Sequence, residues 1–282
     1  DPKFMDAHNN LGIAYKNCGK FKKSFAAFQN ALKINPNYHL SNYGLGDLYT
    51  QFNEIDKAID SFKKAIDSRP DFALAYSNYL FFLNYLEKYD SKFYYESSLN
   101  YSKSLKRLEA NLLSPFKYNK FTKKLVIGFV SGDLKKHPVG YFLFETLKYL
   151  KNMDLELIAY SNLIEEKEDT LTQELKFCFS KWHHVKKLND LDLTNLIRND
   201  GVNLLIDLSG HSAQSRLSIF ANKPAPLQVT WCGYLNTTGL KEIDYIIADP
   251  FVLDKDQESF FSEKVWRLPD IWNSLSQPNY NI

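Results

Sequence analysis

At 282 residues the chain is long enough for roughly two domains that each bury a core. Lys plus Arg at 35 against Asp plus Glu at 33 leaves no basic surplus for gripping nucleic acid or an anionic membrane surface. Cys18, Cys178 and Cys232 are widely spaced and form no C-x-x-C pair, which excludes a disulfide framework and a cysteine zinc site and fits a reducing cytoplasm. No stretch approaches the ~20 apolar residues of a membrane helix, and no basic start leads into an apolar run. The sequence opens at Asp1 inside a repeat, from which missing N-terminal context is expected.

Pro2, Pro36 and Pro70 stand 34 residues apart, the period of a helical repeat array. His8, Leu11, Gly12, Tyr15, Ser24, Phe28, Ala31 and Pro36 recur one period later as Asn42, Leu45, Gly46, Tyr49, Ala58, Phe62, Ala65 and Pro70. This is the tetratricopeptide pattern: glycine lets antiparallel helices approach, small residues keep the facing helix close, and aromatics fill the gaps between units. Gly19 and Asn53 mark the turns. A third unit starts at Ala73, with Leu80 in place of the glycine and Leu83 in place of the tyrosine. Phe93, Leu99, Leu105, Leu108 and Leu112 predict one further helix from Ser91 to Leu113, ended by Ser114 and Pro115. A basic linker is expected from Phe116 to Lys123. The implied division is repeats over 1–88, a connecting helix and linker over 89–122, and an α/β lobe over 123–282.

Beyond Lys123 the period changes. Apolar runs at Leu125–Val130, Leu155–Tyr160, Leu204–Leu208, Leu227–Trp231 and Tyr245–Ala248 alternate with helical patterns near Tyr141–Leu150, Thr170–Phe179, Leu191–Asn199 and Gln214–Ala221. That alternation predicts βαβ units and a mainly parallel sheet with helices on both faces. The fold class is therefore an α-helical tetratricopeptide superhelix followed by an α/β Rossmann-like lobe. The first strand ends in Ser131, Gly132 and Asp133, then Lys135, Lys136 and His137, after which Pro138 can open a helix. The strand at Leu204 ends in Asp207, Ser209, Gly210 and His211. Carboxyl ends of parallel strands are where such sheets place their sites.

Each of these groups also has an ordinary reading. His137 is either a titratable group at the site or a loop residue facing solvent. Asp133 is either a catalytic carboxylate or the cap of the following helix. Gly233, Tyr234, Thr237, Thr238 and Gly239 form a hydroxyl-rich loop that lines a ligand or simply turns the chain. His183 and His184 would point to opposite faces of a strand, which suits surface and core roles better than one metal. No G-x-G-x-x-G and no G-x-x-x-x-G-K-[ST] occurs, so dinucleotide and P-loop chemistry lose their main support.

Four segments in order behind the repeats carry a resemblance. They are Gly128-Phe-Val-Ser-Gly-Asp-Leu-Lys-Lys-His-Pro-Val-Gly-Tyr-Phe142, Asp207-Leu-Ser-Gly-His-Ser212, Lys223-Pro-Ala-Pro-Leu-Gln-Val-Thr-Trp-Cys-Gly-Tyr-Leu-Asn-Thr-Thr-Gly239 and Ile243-Asp-Tyr-Ile-Ile-Ala-Asp249. Together they resemble the tetratricopeptide-containing protein O-GlcNAc transferases, including their SPINDLY-like branch. The resemblance implies a GT-B enzyme whose two lobes close over UDP-GlcNAc, with protein acceptors guided along the repeat groove, and the first lobe alone in this sequence. It implies inverting transfer to Ser or Thr, with His137 taking the hydroxyl proton directly or through water and Asp133 a second catalytic residue that helps to shape the sugar and acceptor side. His211, Tyr234, Thr237, Thr238 and Gly239 would form the sugar and acceptor side. No cofactor and no metal are implied. Tyr141 stands where some members carry a second histidine, and Leu235-Asn236 replaces a proline-glycine pair. Since the diphosphate-binding lobe would follow Ser276, the sequence as it stands is expected not to transfer sugar by itself. A protein-binding scaffold without catalysis and a protein O-fucosyltransferase are the alternatives.

Overall fold

The computed structural model describes residues 4–116 and 124–276, so the expected linker lies, apart from Phe116, outside the described residues. Contacts divide the chain into two units, one ending at Leu105 and the other beginning at Lys106.

The first unit is all helix: α1 Met5–Asn17, α2 Phe21–Ile34, α3 His39–Gln51, α4 Ile55–Ser68, α5 Ala73–Leu83 and α6 Ser91–Ser104. Gly19 and Asn53, at φ 69° and 57°, turn the chain between the helices of the first two pairs, a left-handed conformation that glycine and asparagine tolerate best. A Cβ on Gly12 would lie 2.6 Å from Phe28 Cε1, and one on Gly46 2.5 Å from Phe62 Cε1. Both phenylalanines are fully buried. The repeated glycine therefore exists to seat the repeated aromatic of the facing helix. Phe28 also meets Gly44 of the next repeat, where a Cβ would lie 2.5 Å from its Cζ, so one ring joins two helix pairs. In α5 the glycine's place is taken by Leu80, itself fully buried.

Leu45 is buried against Phe28 and Leu48. Leu45→Ala should therefore cost about 2 to 5 kcal/mol in a urea titration of the chain. A loss below about 0.5 kcal/mol, the size expected of a surface change, would show that the repeat register is wrong.

The helix predicted over Ser91 to Leu113 stops at Ser104 instead. Leu105 is extended, at φ −74° and ψ 129°, and only a short 3-10 turn follows at Ala110–Leu112. Bonds within the second unit hold the stretch that follows: the Leu108 N–H donates to Asn222 Oδ1 at 2.7 Å and the Ser114 N–H to Asn195 Oδ1 at 2.6 Å. Arg198 Nη1 donates to the Ser114 carbonyl at 2.9 Å, and its guanidinium lies 4.3 Å over the Phe116 ring. Tertiary bonds thus outbid the local helical periodicity.

In the second unit the order is β1 Leu125–Ser131, α7 Pro138–Leu150, β2 Leu155–Ser161, α8 Thr170–Lys176, β3 Lys181–His184, α9 Asp190–Asn199, β4 Leu204–Asp207, α10 Leu217–Phe220, β5 Leu227–Thr230, β6 Tyr245–Ala248 and β7 Lys264–Arg267. The strands form one sheet in the order β3-β2-β1-β4-β5-β6-β7, every pair parallel. β3 and β7, absent from the predicted strands, are its two edges. Ile127, Phe129, Leu157 and Ile206 pack on one face with Leu143 and Leu147 of α7 and Leu171 and Leu175 of α8. Neighbouring residues turn to the other face, where a Cβ on Gly128 would meet Leu205 and Tyr160. Tyr160 OH donates there to Asp200, at the end of α9, at 2.8 Å. Burial on both faces explains why β1 reads as an unbroken apolar run.

The first six strands follow a doubly wound order, so the chain reverses its direction of travel across the sheet between β1 and β4. These two strands pair from Ile127↔Leu204 to Val130↔Asp207. Their carboxyl ends open side by side.

Candidate active site

At the end of β1 the Asp133 N–H donates to Ser131 Oγ at 2.9 Å. The cap of α7 is His137, not Asp133: its Nδ1 accepts the Val139 N–H at 3.3 Å, with Pro138 in the first turn. This settles the capping alternative for Asp133. Its carboxylate is nearly buried, and Oδ2 stands 4.0 Å from His137 Nδ1. Burial pushes the Asp133 carboxyl above the usual range, while His137 and Lys135 pull it down. The His137 side chain keeps 40% of its surface exposed, enough to meet a substrate. While Nδ1 accepts a backbone N–H, the neutral ring carries its proton on Nε2. Nε2 becomes a base only when the proton moves to Nδ1, and Asp133 is the carboxylate placed to receive that N–H.

At the end of β4 the side chain of Asp207 is buried. It accepts the Ser209 N–H at 3.2 Å, the Gly210 N–H at 2.8 Å and the Thr230 hydroxyl at 2.8 Å. Burial raises its carboxyl to about 6, against the pull of these donors. The loops after β4 and β5 are pressed together. A Cβ on Gly210 (φ 52°) would lie 2.4 Å from Tyr234 Cβ, and one on Gly233 1.8 Å from the Leu208 carbonyl oxygen.

His211 is buried in that contact, its Nε2 3.0 Å from the Thr238 carbonyl. A carbonyl only accepts, so Nε2 carries the hydrogen. Burial lowers the ring to about 3, the Thr238 bond notwithstanding, so it is neutral at ordinary pH. Its edge meets the Tyr234 ring at 5.5 Å and 80°. Thr237 and Thr238 are fully buried, and Gly239 turns the chain at φ 77°.

The seven residues singled out from the sequence therefore fall into two groups on adjacent strand ends. His137 and Asp133 follow β1. His211 follows β4, and Tyr234, Thr237, Thr238 and Gly239 follow β5. Sequence reasoning passed over Glu263, the carboxylate on which both threonines converge, since nothing local links it to a loop 25 residues away. It also passed over Asp249. Burial would raise that carboxyl, but the N–H groups of Phe251, Val252 and Trp272 at 2.7 to 2.9 Å, with Arg267, hold it below the usual range. A cavity of about 380 Å³ lies beside the first group, lined by Lys136, Tyr141, Glu145, Lys148, Glu174 and Ser276 among others.

His183 and His184 do occupy a strand, and their partners differ: Asp200 at 3.0 Å from one, Glu168 at 3.6 Å from the other. Among the described residues no group of three His, Cys, Asp or Glu side chains is placed to hold a metal ion.

A family model described as Glycosyl transferase family 41 matches residues 102–273. The chain belongs to glycosyl transferase family 41. Tetratricopeptide repeat models match residues 6–38 and 40–72 of this family 41 chain. It is 32% identical over 215 residues to a probable UDP-N-acetylglucosamine–peptide N-acetylglucosaminyltransferase SPINDLY of Oryza sativa subsp. japonica, covering 75% of the chain and 23% of the relative. The UDP-N-acetylglucosamine–peptide N-acetylglucosaminyltransferase of Caenorhabditis elegans is 27% identical over 151 residues, 52% of the chain and 13% of that protein. Among solved structures, a mutant O-GlcNAc transferase of Thermobaculum terrenum superimposes with a TM-score of 0.83 at 30% identity, over 99% of this family 41 chain and 53% of that one. The family 41 chain thus spans about half the length of that structure and 23% of the rice relative.

Proposed function

We propose that this chain forms the repeat array and acceptor-side lobe of a protein O-linked N-acetylglucosaminyltransferase, one that moves GlcNAc with inversion from UDP-GlcNAc to Ser or Thr of cytoplasmic proteins. The observation that carries the reading is the half-exposed His137 imidazole beside the Asp133 carboxylate, at the sheet's switch point, in a lobe that superimposes on an O-GlcNAc transferase. In this reaction the acceptor oxygen forms a bond to the anomeric carbon while the bond from that carbon to the UDP oxygen breaks. The hydroxyl proton must leave as the nucleophile commits. Once its own hydrogen sits on Nδ1, the neutral His137 imidazole can take the proton on Nε2, directly or through one water. Asp133 then holds the new positive charge, its own carboxyl being near enough to accept Nδ1–H after a small rotation of the ring. His211, Tyr234, Thr237, Thr238 and Gly239 supply the rigid wall of the sugar and acceptor side. Leaving-group charge needs preorganised donors, assigned here to the half of the structural neighbour that this chain does not span. Acceptor segments are held by the tetratricopeptide groove.

A chimaera tests this. Residues 4–276 replace the matching half of the Thermobaculum terrenum enzyme, and transfer from UDP-GlcNAc to a serine-containing peptide is followed by mass spectrometry. A folded, active chimaera is the expected result, while the 282-residue chain alone should bind UDP too weakly for calorimetry. Micromolar UDP binding by the chain, about −8 kcal/mol, would place a nucleotide site in this lobe and overturn the division of labour. A folded but inactive chimaera would favour a binding scaffold.

A further inference from the structure

Glu263 is a buried carboxylate one residue before β7, in a lobe where the buried carboxylates of Asp207 and Asp249 each accept N–H groups of the turn that follows them. Its Oε1 accepts both the N–H of Thr238, at 2.8 Å, and the Thr238 hydroxyl. Its Oε2 accepts the Thr237 hydroxyl at 2.7 Å and faces the Ser262 hydroxyl at 3.4 Å. The two threonine oxygens are themselves acceptors: Thr237 Oγ1 takes the Gly239 N–H at 3.2 Å and the Ser262 N–H at 3.1 Å, and Thr238 Oγ1 takes the Leu240 N–H at 3.2 Å. The Thr238 N–H and hydroxyl and the Thr237 hydroxyl are thereby directed at Glu263, the Ser262 hydroxyl stands 2.8 Å from Thr237 Oγ1, and the Gly239, Ser262 and Leu240 N–H groups go to the threonine oxygens. Two acceptor oxygens suit that pattern, whereas an amide would present N–H groups in place of one of them; burial raises the Glu263 carboxyl against the pull of the Thr238 and Thr237 bonds. The orientation has a reader, since the carbonyl of Thr238 bonds His211 Nε2 at 3.0 Å.

We propose that Glu263 is a positioning residue of the substrate site: by fixing Thr237 and Thr238 it holds the Thr238 carbonyl against His211 and so locks the imidazole in its Nε2–H tautomer. The lock leaves Nδ1 without a hydrogen and sets the ring edge-on to Tyr234. The proposal rests on the reading above only in calling this wall the substrate side. The two tautomers of a neutral imidazole present opposite hydrogen-bonding faces, so the position of the Thr238 carbonyl bears on which face the ring shows.

The test reads the tautomer by long-range ¹H–¹⁵N correlation of the imidazole in the 282-residue chain, with no transfer required. Wild type should show His211 wholly as Nε2–H. Glu263→Gln should give a mixture with the Nδ1–H form and, in the chimaera, lower kcat about 10- to 100-fold, as small misplacements of a site do, with KM for UDP-GlcNAc unchanged. Thr238→Val keeps the carbonyl, removes one hydroxyl and should shift the tautomer in the same direction. It also decides the matter if Glu263→Gln fails to fold. A folded variant of either kind with His211 still entirely Nε2–H would overturn the positioning role. An inactive wild-type chimaera would instead count against the proposed function, and the tautomer result would stand apart from it.

Discussion

His137→Ala should lower kcat of the chimaera by about 10² to 10⁴ fold, with folding little changed. The residue has two jobs, and they separate by substitution. Its Nδ1 caps α7 through the Val139 N–H, a contribution of about 1 kcal/mol that alanine forfeits. Asparagine can still cap, because its side-chain oxygen accepts the same N–H, but it cannot take a proton. His137→Asn should therefore be as slow as the alanine variant while unfolding at the wild-type temperature. Turnover at saturating donor and acceptor measures the chemical role, since a group acting only in the transition state lowers kcat without weakening binding. Tyr141→Phe run in parallel shows whether the neighbouring phenol carries any proton traffic. Near wild-type turnover in His137→Asn would remove the imidazole from the mechanism and move attention to Asp133 and His211.

Gly233→Ala should be the most damaging single methyl in the α/β lobe. The added carbon would sit 1.8 Å from the Leu208 carbonyl oxygen and 2.6 Å from its carbon, so the obstruction is backbone that cannot swing aside. Relief requires parting the β4 and β5 loops, with a loss of about 3 kcal/mol or more. Gly19→Ala is the natural control. There the new methyl meets nothing within 4 Å, and only the left-handed φ is strained, for about 1 to 2 kcal/mol. Equilibrium unfolding in urea compares the two, and a Gly233 loss no greater than the Gly19 loss would mean that the loops do not touch as described.

What the sequence revealed, and what it hid, follows from the range of the interactions. The repeats were legible because Gly12 and Phe28 meet again as Gly46 and Phe62, so a tertiary contact is written twice in the chain. β1, β2, β4, β5 and β6 were legible as apolar runs. The edge strands were not: Lys181-Trp-His-His184 and Lys264-Val-Trp-Arg267 are four residues long, with three and two polar residues, as suits edges that face water. The overlong helix at Leu105 to Leu113 failed for the opposite reason, since its leucines keep the helical spacing while Asn195, Arg198 and Asn222 claim the backbone. At the site, strand-end position pointed to His137, Asp133 and His211, because parallel sheets put their chemistry there. It could not say that His137 rather than Asp133 caps the helix, nor that His211 is shut away from water. Those outcomes depend on which loop packs on which, and Glu263 enters by that route alone.

The all-parallel order of the sheet also has a consequence for synthesis. β1 gains β2 on one side soon after it is made, but its other side belongs to β4, whose leading residue Asn203 bonds to Val126, 77 positions earlier. At about 5 to 20 residues per second, that side stays unpaired on the ribosome for roughly 4 to 15 s. The repeat helices meet partners within one period and can fold as they emerge. The edge of β1, the strand that leads to His137, is thus left unpaired until β4 inserts beside it.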